Sequence, residues 1–331
     1  MKASFSMAQL IQALLAWAFF TWTSSAKAES EDEQFSVFGW GAYNADAFEV
    51  DGRISAMGSD TLTNVMAIWS YQFSQLHPEA SVQVEGRGSS TAPPALIEGT
   101  ADIGVMSRRM SVPELQQFSS RYGKRPLAIP VALDAVVVYV NAKNPISGLS
   151  LAQLDSIFSA DRLMGEARVR FWGDLGVGGA WSKRPITVYG RNSASGTYSF
   201  FKARVMAAGN FKRTVQEIPG SSALVQAVGT DRFGVGYSGI GYKAGNVRVL
   251  PLSEKDGEPF EPNFENCLNG RYPLARPIYL YVTDSRESGL SPRLQAFMRY
   301  VLSEQAQAVL VEEGFFPIPR NYATELAKTY L

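Results

Sequence analysis

The sequence contains one cysteine, Cys267, and one histidine, His77, among 331 residues. A single cysteine excludes an intrachain disulfide and a metal cluster held by several thiolates. With one imidazole and no G-x-S-x-G turn, the chain lacks parts that a Ser-His-Asp hydrolase needs. The nucleotide-binding pattern G-x-x-x-x-G-K-[ST] is also absent. We therefore expect a protein that is not an enzyme and that uses no metal and no cofactor.

Neither sign of charge is in excess, because 31 Lys and Arg residues balance 31 Asp and Glu residues. Residues 1–28 hold Lys2 and Lys27 but no acidic residue, so the rest of the chain carries 29 basic and 31 acidic side chains. Nucleic-acid-binding domains usually present a strongly basic face. We therefore expect no nucleic-acid partner.

The N-terminal apolar run from Leu10 to Phe20 is too short for a membrane span. Lys2 precedes it, and Ala26-Lys27-Ala28 follows as an A-x-A cleavage site, so residues 1–28 are typical of a cleavable export signal. No cysteine follows the run, so a lipid anchor is not expected. The pattern predicts a chain that begins near Glu29 in the periplasm.

The remaining residues alternate short β-rich runs with helical segments, which predicts an α/β fold. Their number favours two lobes over a single core. Residues 29–51, rich in Gly, Ala and acidic residues, are interpreted as an N-terminal arm without an assigned role. Near the other end, Ser291 and Pro292 introduce an apolar stripe that predicts a final helix ending before Gly314.

Residues 191–197 (RNSASGT) are typical of an anion clamp. They follow a strand-like run and lead into a helix-like one. Arg191 is a permanent cation four residues before Ser195, and the Ser-Gly-Thr turn supplies hydroxyls and free N–H groups at a helix start. A purely structural helix cap is the alternative explanation of this segment taken alone.

Two further segments have the same character. Residues 58–63 (GSDTLT) precede an amphipathic helix whose apolar face runs from Leu62 to Leu76. Residues 86–91 (GRGSST) follow an alternating strand and lead into Pro93 and Pro94, which suit a first helical turn. If three helix starts converge, their unpaired donors and partial positive charges can hold a dianion with few formal counter-charges.

From about Ile54 to Tyr322 the chain resembles the phosphate-binding family of Pst-type ABC transporters, within the two-lobed periplasmic solute-binding proteins. The resemblance rests on the order and spacing of several motifs. These are GSDTLTN, EGRGSSTAPPAL, TADIGVMSRRM, DAVVVYVNAKNPI, LAQLDSIFS, FWGDLG, YGRNSASGT, FGVGY and YPLARPIYLYV.

The resemblance implies a type II periplasmic-binding-protein fold, with lobes joined by two hinge crossings and a ligand cleft between them. Ala135–Val140 and Pro277–Val282 are the two candidate crossings. Lobe one then comprises residues 52–137 and 276–331, and lobe two comprises residues 138–275. The implied function is high-affinity binding of inorganic phosphate and delivery to ABC permease subunits in the inner membrane. We expect a monomer.

The family's phosphate-binding positions are carried over residue by residue. They fall on Thr61, Leu62, Ser89, Ser90, Arg191, Ser195, Gly196 and Thr197.

One family position differs in this chain. The family's best-known form has an aspartate where this sequence has Ser107. Such an aspartate accepts the proton of hydrogen phosphate and repels sulfate, which has no proton to donate. Asp134, at the start of the first crossing, is the preferred replacement, although a hinge-strand aspartate bonded to nearby backbone explains it equally well. Asp60 is the next candidate, and the hydroxyl of Ser107 itself is the third.

Three other functions stay open. A receptor for another tetrahedral oxyanion, such as sulfate, is compatible with Ser107. A phosphate-sensing or surface protein without a permease would keep the same fold. A phosphatase with Ser195 or Thr197 as nucleophile would need a general base or a metal, for which the sequence offers no cluster.

Overall fold

The computed structural model describes residues 41–164, 167–242, 244–255, 257–283 and 289–331. The expected export signal, residues 1–28, and the first part of the arm, residues 29–40, lie outside the described residues.

The strands are short except for one, which is fifteen residues long. They are β1 (Gly52–Gly58), β2 (Ala80–Gly86), β3 (Ile103–Met106), β4 (Leu127–Asn141), β5 (Leu149–Ser150), β6 (Thr187–Arg191), β7 (Gln216–Ile218), β8 (Gly234–Gly239), β9 (Val247–Leu250), β10 (Leu252–Ser253) and β11 (Ala275–Val282).

Helices connect most of these strands. They are α1 (Thr63–Leu76), α2 (Ala92–Glu98), α3 (Val112–Tyr122), α4 (Leu151–Phe158), α5 (Gly196–Val205), α6 (Ser221–Thr230), α7 (Phe264–Leu268), α8 (Pro292–Val301), α9 (Glu304–Glu312) and α10 (Arg320–Tyr330). Short 3₁₀ turns precede two of them, at Asp60–Leu62 before α1 and at Ser89–Thr91 before α2.

Nine strands form one sheet in the order β2-β1-β3-β11-β4-β8-β6-β7, with β9 also paired to β4. Strand β4 belongs to both halves of this sheet. Its first part, up to Ala135, pairs antiparallel with β11, and its second part, from Val136, pairs antiparallel with β8 and β9. Parallel pairs lie on both sides, β2-β1-β3 in the first half and β8-β6-β7 in the second. The expectation of an α/β fold is confirmed.

Helix α1 shows how the apolar pattern produces the core. Val65, Met66, Trp69 and Phe73 are fully buried against β1, α8 and α9, as their helical spacing predicts. The indole Nε1 of Trp69 donates to the carbonyl of Ala306, so the buried ring leaves no unpaired donor. The predicted stripe is one turn too long, because Leu76 is 44% exposed at the end of the helix.

The C-terminal region differs from its predicted single helix. Helix α8 begins at Pro292 as expected but ends at Val301. Ser303 then caps a second helix by accepting a bond from the backbone N–H of Ala306. This N-cap starts a new helix axis before Gly314, so the segment predicted as one final helix contains two, α8 and α9, and a further helix, α10, follows.

The described part of the arm packs on the first half of the sheet. The Tyr43 ring lies edge-on to Tyr300 at 5.6 Å, and its hydroxyl lies 2.7 Å from Nε2 of His77. His77 follows the last turn of α1 and is buried, and burial lowers its pKa.

Candidate functional site

The site is formed by three turns, each of which follows the carboxyl end of a strand. The turn after β1 begins with Ser59, whose Oγ accepts a bond from the Thr61 backbone N–H at 3.2 Å. The turn after β6 begins with Ser195, whose Oγ accepts from the N–H groups of Thr197 at 3.1 Å and Tyr198 at 3.4 Å. The third turn, after β2, leads through Ser89–Thr91 into α2. Strands β1 and β2 are parallel neighbours, so their turns lie at the same edge of the first half of the sheet. Strand β6 belongs to the second half and runs in the opposite direction, so its turn meets the other two from the other half.

These turns place their hydroxyl groups in direct contact. Ser107, at the end of β3, lies between two of the turns: its Oγ is 3.0 Å from Ser59 Oγ and 3.2 Å from Ser89 Oγ. The Ser107 backbone N–H also donates to Ser89 Oγ at 3.1 Å. Thr61 Oγ1 lies 3.4 Å from Thr197 Oγ1. We call this set the hydroxyl cluster. It comprises Ser59, Thr61, Ser89, Ser107, Ser195 and Thr197, all buried.

Glycine is required at two positions by the close approach of the turns. A Cβ on Gly196 would lie 2.3 Å from Ser89 Oγ and 2.5 Å from Ser107 Oγ. A Cβ on Gly88, where φ is +106°, would lie 2.5 Å from the carbonyl oxygen of Ala194. That same carbonyl accepts the backbone N–H of Ser90 at 3.1 Å. Thus the turn of the second half of the sheet lies directly on the turns of the first half.

Arg191 lies at the end of β6 and reaches across to the first half of the sheet. It is 1% exposed, and its Nη2 lies 2.6 Å from Asp60 Oδ2 while Nη1 donates to Ser221 Oγ at 2.7 Å. Two atoms of this pair, Arg191 Nε and Asp60 Oδ1, are buried without a hydrogen-bond partner in the described part of the chain. The hydroxyl of Tyr242 also crosses between the halves and donates to the carbonyl of Asp60 at 2.8 Å.

Asp134 is fully buried in β4 and is paired with a residue that the sequence analysis missed. Arg276, its partner on β11, donates from Nε at 3.0 Å and from Nη2 at 2.8 Å to Asp134 Oδ2. The other carboxylate oxygen accepts the Ile240 N–H at 3.4 Å. Burial raises the pKa of Asp134, and Arg276 opposes that shift.

The missed arginine had a sequence signal. Arg276 is the single charge in the apolar strand sequence ARPIYLYV, and Asp134 is the single charge in the equally apolar β4. Lone opposite charges in two buried strands are expected to pair, because an unpaired buried charge is costly. Ser59 and Ser221 were also missed. Their partners lie in distant parts of the sequence, so no local pattern identifies them.

The remaining predicted residues have more peripheral positions. Leu62 is buried in the hydrophobic core, so only its backbone amide is available to a ligand at this turn. Ser90 is half-buried, and its Oγ accepts from Arg108 Nη2 at 3.4 Å. Helix α2 has only seven residues, so its dipole is weaker than those of α1 and α5, which have fourteen and ten.

The arrangement suits a small, polar, anionic ligand. Two helix starts, several hydroxyls and two buried guanidiniums lie within one cluster, and all of these are donors to an oxyanion. The two carboxylates, Asp60 and Asp134, balance the charge of the arginines, so the cluster is close to neutral. An oxyanion in such a place is held mainly by hydrogen bonds and dipoles.

Comparison with known proteins identifies the family. Residues 24–305 match the family model described as a PBP superfamily domain. The chain is 47% identical over 281 residues to the phosphate-binding protein PstS of Pseudomonas aeruginosa, covering 84% of this chain and 87% of the relative. It is 28% identical to protein SphX of Synechococcus elongatus, covering 84% of this chain and 81% of that one.

Solved structures share the fold at lower sequence identity. An ABC-type phosphate transport receptor from Vibrio cholerae superposes with a TM-score of 0.63 at 24% identity, covering 80% of this chain and all of that one. A phosphate binding protein from Stenotrophomonas maltophilia gives a TM-score of 0.59 at 16% identity, covering 84% and 93%. The fold is therefore that of the type II periplasmic-binding proteins, and the chain belongs to the PBP superfamily and, within it, to the family of the PstS phosphate-binding proteins.

Proposed function

We propose that this protein binds inorganic phosphate in the hydroxyl cluster and delivers it to an ABC importer. The observation that carries the proposal is the meeting of the three turns, with Gly196 packed directly between Ser89 and Ser107. Relatives named for phosphate binding cover most of the chain, which supports the same ligand.

The ligand is held from both halves of the sheet in this proposal. Thr61, the Leu62 amide, Ser89, Ser90 and Ser107 contribute from the first half, and Arg191 with the Ser195-Gly196-Thr197 turn contributes from the second. A guanidinium suits the binding because it donates two parallel bonds to one tetrahedral anion.

We further propose the division into lobes at the two crossings, with residues 52–137 and 276–331 in lobe one and residues 138–275 in lobe two. Strand β4 passes from one half of the sheet to the other at Ala135 and Val136, which supports the first crossing. A ligand that gains contacts from both lobes favours the closed form by its difference in affinity for the two forms.

Asp60 fits the role of proton acceptor better than Asp134 does. Both oxygens of Asp134 already accept bonds, whereas Asp60 Oδ1 is buried without a partner among the described residues. A carboxylate oxygen with a free lone pair accepts the proton of hydrogen phosphate and repels sulfate. Asp134 then belongs to the site through the guanidinium that it holds.

The cellular setting follows from the export signal and the family. We propose a periplasmic protein, cleaved after residue 28, that acts as a monomer without catalytic activity and docks on ABC permease subunits. None of the helices in the described part of the chain combines the length and the apolar character that crossing a membrane requires.

Calorimetric titration of the purified protein with phosphate and sulfate in parallel tests the proposal. We expect one phosphate site per chain and much weaker sulfate binding. Tighter binding of sulfate would favour the other oxyanion receptor, and no heat with phosphate would refute phosphate binding. Loss of phosphate uptake on deletion of the gene separates a transport protein from a sensor that lacks a permease.

A further inference from the structure

Arg276 occupies a position that an ion pair alone does not explain. It lies opposite Asp134 in the register of β4 and β11, and the two side chains are 3% and 0% exposed. Burying two charges costs several kcal/mol for each ion, and well-packed apolar residues of similar size are often as stable. Stability alone therefore does not explain why these two charged side chains lie buried in the middle of the sheet.

Its guanidinium is fixed on three sides and has one nitrogen without a partner. Nε and Nη2 are bound to Asp134, Nη2 also donates to Thr197 Oγ1 at 2.8 Å, and the group lies over the ring of Phe200 at 5.2 Å. Nη1 is buried and has no partner in the described part of the chain. An unpaired buried donor on a charged group is costly unless a ligand pairs with it.

The fixed guanidinium is part of the hydroxyl cluster. Thr197 Oγ1, which accepts its bond, is the atom that lies 3.4 Å from Thr61 Oγ1. A Cβ added at Gly239 would lie 3.1 Å from Asp134 Oδ1 and 3.2 Å from Thr61 Cγ2, so the carboxylate also borders the turn after β1. Arg276 therefore approaches the cluster from β11, in the first half of the sheet, whereas Arg191 approaches it from the end of β6, in the second half.

We propose that Arg276 is a second anion-contacting cation, which binds the oxyanion through Nη1 while Asp134 and Thr197 hold the guanidinium in place. The inference rests on the proposed function. Arg191 offers a matching free donor, Nε. Two guanidiniums with one unpartnered nitrogen each provide bonds from different directions to one tetrahedral anion. Asp134 is a positioning residue in this arrangement.

The double variant Asp134→Leu, Arg276→Met separates a ligand role from a structural one. It replaces the pair by apolar groups of similar size and leaves the net charge unchanged, so the long-range attraction for anions stays the same. We expect a folded protein whose phosphate affinity in calorimetry falls at least about 30-fold, as on truncation of one partner of a buried charge contact. Arg204→Met with Glu254→Leu, an exposed pair outside the site, is the control and keeps the wild-type affinity.

A second variant tests the same inference in case the double variant does not fold. Arg276→Lys keeps the charge beside Asp134 but lacks the fork of donors, so we expect a melting temperature near that of the wild type and roughly tenfold weaker phosphate binding. Folded variants that bind phosphate within about twofold of the wild type would overturn the inference. If the wild type itself does not bind phosphate, the proposed function fails and this inference falls with it.

Discussion

The two buried arginine–carboxylate pairs of the site differ in what they connect. Arg191 and Asp60 lie on opposite halves of the sheet, and Ser221 and Tyr242 reach the same aspartate from the second half. Arg276 and Asp134 lie on adjacent strands of one half and are bound to each other there, although Arg276 also contacts Thr197 and Phe200 of the other half and Asp134 accepts the Ile240 N–H. The first pair therefore exists only when the halves are together, whereas the second is held by the sheet itself.

This difference assigns different tasks to two residues of the same type. A cation held by its own strand neighbour is in place before the ligand arrives and needs little reorganisation. A cation whose carboxylate lies in the other lobe is coupled to closure of the lobes, because its bonds form only as the lobes approach each other. In this proposal Arg276 prepares the site and Arg191 couples binding to closure.

The largest expected effect is at Arg191. Arg191→Ala removes the buried guanidinium that spans the halves and leaves the partly buried Asp60 without its partner, so phosphate binding weakens by at least about 2 kcal/mol, about 30-fold. Arg191→Lys is also impaired, because an ammonium group does not reproduce the planar fork. Calorimetric titration measures both losses.

Arg204→Ala is the matched control, since Arg204 is exposed and pairs with Glu254 away from the site. It should bind as the wild type does. If Arg191→Ala also bound phosphate with the wild-type affinity, the spanning pair would have no part in binding, and the comparison would lose its basis.

Much of the fold could be predicted from the sequence because its signals are local. The α/β class, the apolar face of α1 from Val65 to Phe73 and the start of α8 at Pro292 all follow from spacing and capping over a few residues. The break between α8 and α9 was not predicted. Its signal, Ser303, directly follows the apolar stripe and lies inside the segment predicted as one helix, and only the structure shows that the helix axis changes there.

The site could be predicted only where its residues belong to one turn. The 191–197 turn gives a local signal, because Arg191, Ser195 and Thr197 are close in sequence, although a helix cap explains the segment taken alone. Contacts between distant segments leave weaker traces: lone charges in two apolar strands indicate the pairing of Arg276 with Asp134, whereas the bond from Ser59 to Ser107 appears only in the structure. The preference for Asp134 as proton acceptor does not take its pairing with Arg276 into account.

The second expected effect is on selectivity and separates the two carboxylates. Asp60→Asn replaces the free lone pair by an amide that can donate to sulfate, so the ratio of phosphate to sulfate affinity should fall by about tenfold. Asp134→Asn should weaken both anions by a similar factor, because it disturbs Arg276 and not the acceptor. Parallel titrations with both anions give the two ratios.

A ratio that falls for Asp134→Asn and stays constant for Asp60→Asn would reverse the assignment and restore Asp134 as the acceptor. Constant ratios in both variants would leave the Ser107 hydroxyl as the acceptor. The test compares only the ratio of phosphate to sulfate affinity. A general loss of affinity in Asp60→Asn, caused by the weakened contact with Arg191, therefore does not affect the result.

A smaller effect is expected from the helix caps. Ser195→Ala removes two bonds to the first turn of α5 and should lower the free energy of unfolding by about 1 kcal/mol. Ser150→Ala removes the corresponding cap of α4, outside the site, at a similar cost. Chemical denaturation measures both. Phosphate affinity should fall only for Ser195→Ala, and equal affinities would show that this turn is a cap without a ligand role.

The smallest expected effect lies outside both pairs, at His77, and concerns the pH dependence of stability. Burial lowers the pKa of His77 in the folded protein, so the folded state favours the neutral ring. The unfolded chain takes up a proton near the ordinary histidine pKa of about 6.5, and the stability that is present above this pH is lost as the pH falls below it. The slope stays below about 1.4 kcal/mol per pH unit, the limit for one proton.

His77→Gln should remove this slope between pH 5 and 7 when denaturation curves of the variant and the wild type are compared. Because the chain has no other histidine, a slope that persists unchanged in the variant would have to come from groups other than imidazole, and the burial of His77 would not be its cause.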